Sequence, residues 1–290
     1  MAQEPQAGRL REYYVRMLKR TEGIVLKTFP FGEADLIVTY LTPDYGIIKL
    51  FAKSPRKFKS GFGSSLEPLT RSRISFWGKE ETPLPKLTQS DIIQPFQSLR
   101  DSLHCFLKVS EIIELTASFL PERDVNSKAY PLLLDTLGDM ERNLAEFPLL
   151  KNGNEGDSTR DKNGFIHRDL LLSHYKIKFL EFAGFAPKLD VCGRCAQKGH
   201  DFFISQGSIL CEQCSRAEMV RANIGPPVKL SPPVLRFYAD LLTWDTAKIN
   251  RIKPSETLLS ELSDIINMHI RYILSKPLKS ETFMQSAAGR

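Results

Sequence analysis

Two pairs of cysteines place the tightest constraint on how this chain can fold. Cys192 and Cys195 form one C-x2-C pair, and Cys211 and Cys214 form a second pair after fifteen intervening residues. Each pair makes a tight turn that points two thiolates the same way, and this spacing is typical of a tetrahedral zinc site. Four thiolates leave no open coordination position. We therefore expect a structural Zn²⁺ ion whose binding contributes folding energy to a module over residues 189–222, with two disulfides or a redox dithiol as the alternatives.

The rest of the chain has the composition of an ordinary globular protein. Its 290 residues suggest about two domains, and a hydrophobic fraction of 42% with 26% charged residues excludes a disordered chain or a fibre. No apolar run approaches the ~18 residues that a membrane span needs. The N-terminus lacks the apolar core of a secretory signal, and five cysteines are an odd number, so we expect a cytoplasmic protein with reduced thiols. The fifth cysteine, Cys105, lies on an apolar helical face and is expected in the core.

Residues 18–95 are rich in short β-forming runs, and residues 1–17 read as an N-terminal extension. Pro43 and Gly46 predict a tight turn between two of the runs, and hence a hairpin. The predicted strands cover Ile24–Leu26, Leu36–Leu41, Ile47–Ala52, Arg73–Phe76 and Leu87–Ile93. Five short strands with no long helix predict a small β-barrel of the oligonucleotide-binding (OB) type, with an SH3-like barrel as the alternative.

Beyond residue 95 the apolar residues recur at the three- and four-residue spacing of α-helices. This spacing predicts a helical domain in two parts, 96–188 and 223–290, with the zinc module inserted between them. The predicted helices begin near Leu99 and cover 130–147, 166–182, 231–244 and 256–275. The polar segment 151–164 is predicted to be a disordered loop. The fold class is therefore α+β and multidomain.

The positive charge of the chain is concentrated in the predicted barrel. Residues 49–79 contain eight lysines and arginines and one acid, so the positive net charge of this segment is larger than the net charge of +6 of the whole chain. Cations along a groove and flat rings between them are what a single-stranded nucleic acid requires. The candidate phosphate contacts are Lys53, Arg56, Lys57, Lys59, Arg71 and Arg73. Phe58 and Phe62 lie in a polar loop and are candidates for base stacking, whereas Phe51 and Phe76 are expected in the core; a solvated loop beside core rings is the alternative.

Motifs for catalysis are missing from the sequence. There is no H-E-x-x-H zinc-protease motif, no G-x-x-x-x-G-K-[ST] phosphate loop and no G-x-S-x-G nucleophile elbow, and the five histidines are scattered. We therefore expect a protein that is not an enzyme.

Two blocks of the sequence resemble the RecO family of bacterial recombination mediators. The first block comprises Thr21–Lys27, Gly32–Asp35, Ile37–Thr39, Leu41–Pro43 and Gly46. The second runs from Leu180 to Cys192 and leads into the zinc module. The basic hairpin loop of the family falls on residues 52–57, although the family commonly has glycine where Ser54 stands.

This resemblance implies a DNA-repair factor that acts without ATP hydrolysis. Such a protein binds single- and double-stranded DNA, anneals complementary strands and docks on the acidic C-terminal tail of single-strand-binding protein. With RecR it helps to load RecA onto coated strands in the bacterial cytoplasm, at the nucleoid. From the residues alone, an RNA- or ribosome-associated OB and zinc protein and a pure protein adaptor remain alternatives, because phosphate contacts do not distinguish the two sugars.

Overall fold

The computed structural model describes residues 18–55, 61–78, 82–147, 158–222, 227–280 and 282, with the side chains of 158–162 and 221–222 left outside this description. The chain divides into two compact units. The first comprises the chain up to Arg100 together with Leu120–Leu134, and the second comprises Asp101–Phe119 and the chain from Asp135 onward. None of the helices in the described ranges is both long enough and apolar enough to cross a membrane.

Five strands close the first unit into a barrel in the order β1-β2-β3-β5-β4. The strands are β1 Leu18–Phe31, β2 Asp35–Thr42, β3 Gly46–Ala52, β4 Arg71–Trp77 and β5 Lys86–Gln94. The first half of the long strand β1 pairs with β4 and its second half pairs with β2, while β3 and β5 run parallel. This order is that of the OB fold, so the predicted fold class is confirmed.

Alternation of side chains across the strands fills the barrel. On β3, Ile48, Leu50 and Ala52 point inward, whereas Lys49 and Phe51 point outward. This is the period of two that a pleated strand imposes. The inward positions of the five strands and Leu66 of the short 3-10 helix Gly63–Leu66 form one apolar core. Its buried members are Val25, Val38, Tyr40, Ile48, Leu50, Ala52, Leu66, Ile74, Phe76 and Leu87. Phe76 is therefore a core residue, as predicted.

The segment Leu120–Leu134 belongs to the barrel unit, although the sequence analysis grouped it with the helical domain. It returns to strand β3, where the Arg123 N–H donates to the Ile47 carbonyl at 2.8 Å. Glu122 forms an ion pair with Lys49. These contacts join residues about 75 positions apart, so local periodicity carries no sign of them.

The second unit is mainly helical, as predicted. After the short helix α1 Gln97–Asp101 of the barrel unit, its elements are α2 Leu103–Phe119, α3 Ala129–Glu146, α4 Ser158–Phe182, β6 Asp201–Phe203, β7 Ser208–Leu210, α5 Glu212–Ala222, β8 Val228–Lys229, α6 Pro232–Thr243, α7 Thr246–Ile249 and α8 Glu256–Leu274. Helix α3 begins in the barrel unit and continues into this one.

Buried polar contacts join three helices of this unit. An ion pair links Lys176 on α4 to Glu111 on α2, and the Lys176 ammonium also donates to the Asn267 side chain on α8 at 2.7 Å. Tyr175 and Thr116 add a second buried polar contact between α4 and α2. Buried polar groups need such partners, so these bonds fix the packing of the three helices.

The predicted disordered loop over 151–164 is wrong in its second half. Residues 158–164 form the first turns of α4, while 151–157 lie outside the described residues. The polar segment carries no apolar stripe, so the periodicity predicted a helix only from residue 166 onward. Gly164 reads as a breaker but allows a close approach, since a Cβ there would lie 2.7 Å from the Phe147 Cβ.

A substitution at Gly46 should test how the returning segment is joined to the barrel. Gly46 has a φ of +60°, and an added Cβ would lie 2.1 Å from the Asp124 carbonyl oxygen, so Gly46→Ala should destabilise the barrel strongly. Gly32→Ala is the matched control, because Gly32 has a φ of +66° with nothing within 4 Å of its Cβ position. We expect Gly32→Ala to cost ~1–2 kcal/mol from the left-handed backbone alone, and Gly46→Ala to cost at least ~2 kcal/mol more from overpacking.

The measurement is urea unfolding followed by tryptophan fluorescence. The chain has two tryptophans, so a Trp244→Phe background leaves Trp77 on β4 as the reporter of the barrel unit. Equal unfolding free energies for the two glycine variants would show that the Asp124 contact is not made.

Candidate metal centre and nucleic-acid face

The four predicted cysteine ligands lie together in the helical unit. Their Sγ atoms are all within 4.8 Å of one another, and the Cys195 and Cys211 sulfurs are 3.5 Å apart. A tetrahedral ion with metal–sulfur bonds of ~2.3 Å would hold its thiolates about 3.8 Å apart, so the donor set and its spacing fit a metal ion. All four thiols are free of disulfide bonds.

Backbone contacts build the turns that hold these sulfurs. Cys192 begins the first turn, whose Ala196 N–H donates back to the Cys192 carbonyl at 3.0 Å. Gly193 is needed beside β7, because its N–H donates to the Ile209 carbonyl and a Cβ would lie 2.5 Å from the Ser208 Oγ. The second cysteine pair begins where β7 ends and enters helix α5. The sequence spacing alone therefore located this site.

The environment of Cys192 favours a thiolate. Burial opposes ionisation, but hydrogen bonds from the backbone N–H groups of Cys211, Cys195 and Arg194 lower the pKa of the Cys192 thiol to about 6. A deprotonated sulfur is the form that binds a metal. Cys192 and Cys211 are buried and Cys214 is half-buried, whereas Cys195 is exposed at the surface of the module.

Neither Cys105 nor His200 takes part in the cluster. Cys105 is fully buried in the core of the helical unit, as the sequence predicted. His200 is exposed and faces Asp201 instead. The cluster in the described part of the chain is thus made of sulfur donors.

The predicted phosphate contacts on the barrel are spread over separate strands. Lys53 is exposed just after β3, and Arg73 is exposed on β4, opposite Glu22 and Asp91 of the neighbouring strands. Arg71 is half-buried, and its guanidinium donates to the Glu22 carboxylate at 2.6 Å. The C-terminal end of β3 lies beside the start of β5, which pairs with the far end of β4. The structure therefore separates Arg71 from Lys53.

The other predicted contacts on this side of the chain fall outside the residues that the structure describes. Arg56, Lys57, Phe58 and Lys59 lie outside the described residues. Phe62, the second stacking candidate, is half-buried and packs against the barrel core.

The outside of the barrel carries aromatic rings that the sequence analysis missed. Phe29 and Phe31 at the end of β1 are 46% and 52% exposed, and the Phe31 ring meets Phe51 edge-on with centroids 5.9 Å apart. The Lys27 ammonium lies over the Phe29 ring, 4.1 Å from its centroid. We call Lys27, Phe29, Phe31, Phe51 and Lys86 the aromatic–basic face. Phe51 was expected in the core, but it lies half-buried on the outer side.

A signal for this face exists in the sequence. Lys27, Phe29 and Phe31 occupy every second position of the chain, which is the period of a strand. The predicted strand ended at Leu26, which is the last residue of its β-forming run. In the structure Pro30 lies one residue before the end of β1, where the loss of a donor is tolerated.

The chain combines an OB-type barrel, which has cations and rings on its outer side, with a helical unit that contains a four-thiolate module. These features define a class of multidomain proteins with an oligonucleotide-binding fold. Two family models match the chain. "Recombination protein O N terminal" covers residues 17–96 and "Recombination protein O C terminal" covers residues 167–282.

Curated relatives match over most of their length. The DNA repair protein RecO of Thermodesulfovibrio yellowstonii is 39% identical over 255 residues, which cover 88% of this chain and 92% of that protein. DNA repair protein RecO of Dehalococcoides mccartyi strain 195 is 30% identical, covering 92% and 95%, and that of Syntrophus aciditrophicus is 28% identical, covering 91% and 94%. The chain belongs to the RecO family of DNA repair proteins.

Metal analysis should show that the cysteine cluster binds an ion. We expect about one divalent metal ion per chain in gently purified protein, and loss of that ion in Cys211→Ser, because three thiolates and a hydroxyl form a much weaker donor set. Cys105→Ala is the control, since it removes a buried cysteine that lies outside the cluster. Elemental analysis by mass spectrometry gives the metal content, and equal metal contents in the two variants would contradict the assignment.

Proposed function

We propose that this chain binds single- and double-stranded DNA on the outside of its barrel and anneals complementary strands without consuming a nucleotide. The observation that supports this most directly is the aromatic–basic face of the OB-type barrel. OB folds bind oligonucleotides through the outer face of the second and third strands. Here Ile37 on β2 lies opposite Phe29 on β1 and Phe51 on β3, so the face covers these strands.

Annealing requires two phosphate backbones to approach each other. Each backbone repels the other, and lysine and arginine side chains reduce this repulsion by displacing counterions. Lys49 and Arg71 are already paired with Glu122 and Glu22. Phosphate screening therefore falls to other cations: Lys27, Lys53, Arg73 and Lys86 on the described surface, and Arg56, Lys57 and Lys59 in the loop predicted from the sequence.

We further propose that the four-cysteine cluster holds Zn²⁺ with a structural role. The thiolates Cys192, Cys195, Cys211 and Cys214 would complete a tetrahedral shell, in which the ion crosslinks the two turns of the module. The ion would reinforce the small apolar cluster in which Phe203 and Leu210 pack with the cysteines. Small cores of this size rarely hold a fold alone.

The protein partners proposed for this chain follow from its family. We propose that it acts with RecR, docks on the acidic C-terminal tail of single-strand-binding protein and so promotes loading of RecA, at the nucleoid in the cytoplasm. This role fits a chain whose sequence contains none of the catalytic motifs named above, because handing a strand to another protein requires binding rather than bond cleavage.

Neutralising Lys53, Arg56 and Lys57 should weaken DNA binding in a salt-dependent way. For Lys53→Gln/Arg56→Gln/Lys57→Gln we expect at least tenfold weaker binding at 100 mM salt. The slope of log affinity against log salt should become shallower by about 2, because up to three phosphate contacts are lost. Fluorescence anisotropy with matched single- and double-stranded oligonucleotides measures both quantities.

The control is Lys188→Gln/Lys253→Gln/Lys276→Gln, which removes three exposed cations from the helical unit and changes the net charge equally. This control should keep the wild-type slope, and strand annealing followed by fluorescence should fall in the first variant alone. Equal losses in both variants would show that net charge, rather than the barrel surface, drives binding. Tighter binding to RNA than to DNA of the same sequence would favour the RNA-associated alternative.

A further inference from the structure

The aromatic–basic face exposes rings that the barrel core does not use. Phe29 and Phe31 are about half exposed and Phe51 is half-buried, while ten other residues fill the interior of the barrel. We propose that Phe29, Phe31 and Phe51 form a stacking platform for unpaired bases, and that this platform makes the barrel bind single strands in preference to duplex. The inference rests on the proposed DNA-binding function and specifies the substrate class of the same surface.

The strand register places these rings in one continuous patch. Phe29 lies opposite Ile37, Ile37 lies opposite Phe51, and Phe51 lies opposite Lys86 of β5, so these residues form a single row across four strands. Phe29 and Phe51 are two strands apart, which corresponds to about 10 Å at the usual strand spacing. Phe31 lies two residues beyond Phe29 on the same side of β1 and touches Phe51. The spacing allows the rings to meet different bases.

The contacts of the rings leave room for a base. The planes of the Phe31 and Phe51 rings meet at 87°, so the edge of one ring contacts the face of the other. This contact leaves part of each ring face open to a base. On Phe29 the Lys27 ammonium covers one face. A base that stacks on the other face of Phe29 would keep this cation–π contact. The Lys27 ammonium would then be available to a phosphate of the bound DNA strand.

The charges around the rings favour a polyanion with flat rings over an apolar partner. Lys27, Lys53 and Lys86 are exposed next to the rings. The nearby Asp35 carboxylate accepts a hydrogen bond from the Ser54 N–H at 2.6 Å, so part of its charge is balanced within the turn. In a duplex the faces of the bases are stacked on one another and cannot reach a phenyl ring, whereas the phosphates of both forms reach the lysines. The rings should therefore discriminate between the two forms, and the lysines should not.

The test replaces the rings while keeping apolar bulk. Phe29→Leu/Phe31→Leu/Phe51→Leu should lose at least tenfold affinity for a mixed-sequence single strand, and should bind the corresponding duplex within about twofold of wild type. The salt slope should stay at the wild-type value because no phosphate contact is removed. Ile92→Ala/Ile93→Ala is the matched control, since both residues are exposed and apolar near the opposite end of the barrel sheet. This control should leave both affinities unchanged.

A second variant gives a direct reading of stacking and does not depend on loss of binding. In a Trp77→Phe/Trp244→Phe background, Phe31→Trp introduces one tryptophan into the platform. Its fluorescence should be quenched on addition of a single strand and barely changed by duplex. If the triple leucine variant fails to fold, this quenching decides the question.

The outcomes separate this inference from the function beneath it. Wild-type protein that binds neither form of DNA would contradict the proposed function and the platform together. Wild-type protein that binds both forms, with an unchanged ratio of affinities in the leucine variant and no quenching of Trp at position 31, would overturn the platform and leave the cationic surface standing.

Discussion

Closure of the five-stranded barrel is the constraint on which the proposed activity depends. Strand β1 is shared between β4 and β2, so the sheet has to bend until its two ends meet. Once the wall is closed, every second side chain points outward, and the inward set is fixed by the apolar core. The rings, together with Lys27, Arg73 and Lys86, are therefore held on strands that backbone hydrogen bonds keep rigid. Rigid placement lowers the entropy cost of binding a flexible strand.

The helical unit contains the four-cysteine cluster in a small module of short strands and turns. Hydrogen bonds between short strands and turns bring four sulfurs within reach of one ion, and three of these sulfurs are at least partly shielded from solvent. The surrounding helices are fixed by buried polar contacts such as the Lys176–Glu111 pair. Four sulfur donors could bind one metal ion, and such an ion would crosslink the turns of the module.

Sequence patterns predicted the elements that local physics controls. The hairpin around Pro43 and Gly46 follows from turn chemistry, and the two helices near the C-terminus follow from apolar spacing. The cysteine cluster follows from ligand spacing. Each of these signals lies within about 25 residues of chain.

Contacts between distant parts of the chain are what the sequence does not show. Arg71 is predicted to contact phosphate, and in the structure it pairs with Glu22, which is 49 positions away. Residues 158–164 were predicted to be disordered, but they begin α4, and Gly164 permits the approach of Phe147. Phe51 seemed to be a core ring, and only the register with Ile37 and Lys86 shows that it points outward. Tertiary pairing decides all three, and a single sequence contains no measure of it.

Photochemical crosslinking tests the central claim most directly. A single-stranded oligonucleotide that contains 5-iododeoxyuridine would be irradiated with the intact chain, and the attached peptides identified by mass spectrometry. If the barrel binds the strand as proposed, we expect crosslinks to its aromatic residues, with Phe29, Phe31 and Phe51 foremost. Crosslinks confined to the helical unit, with none on residues 18–94, would contradict it.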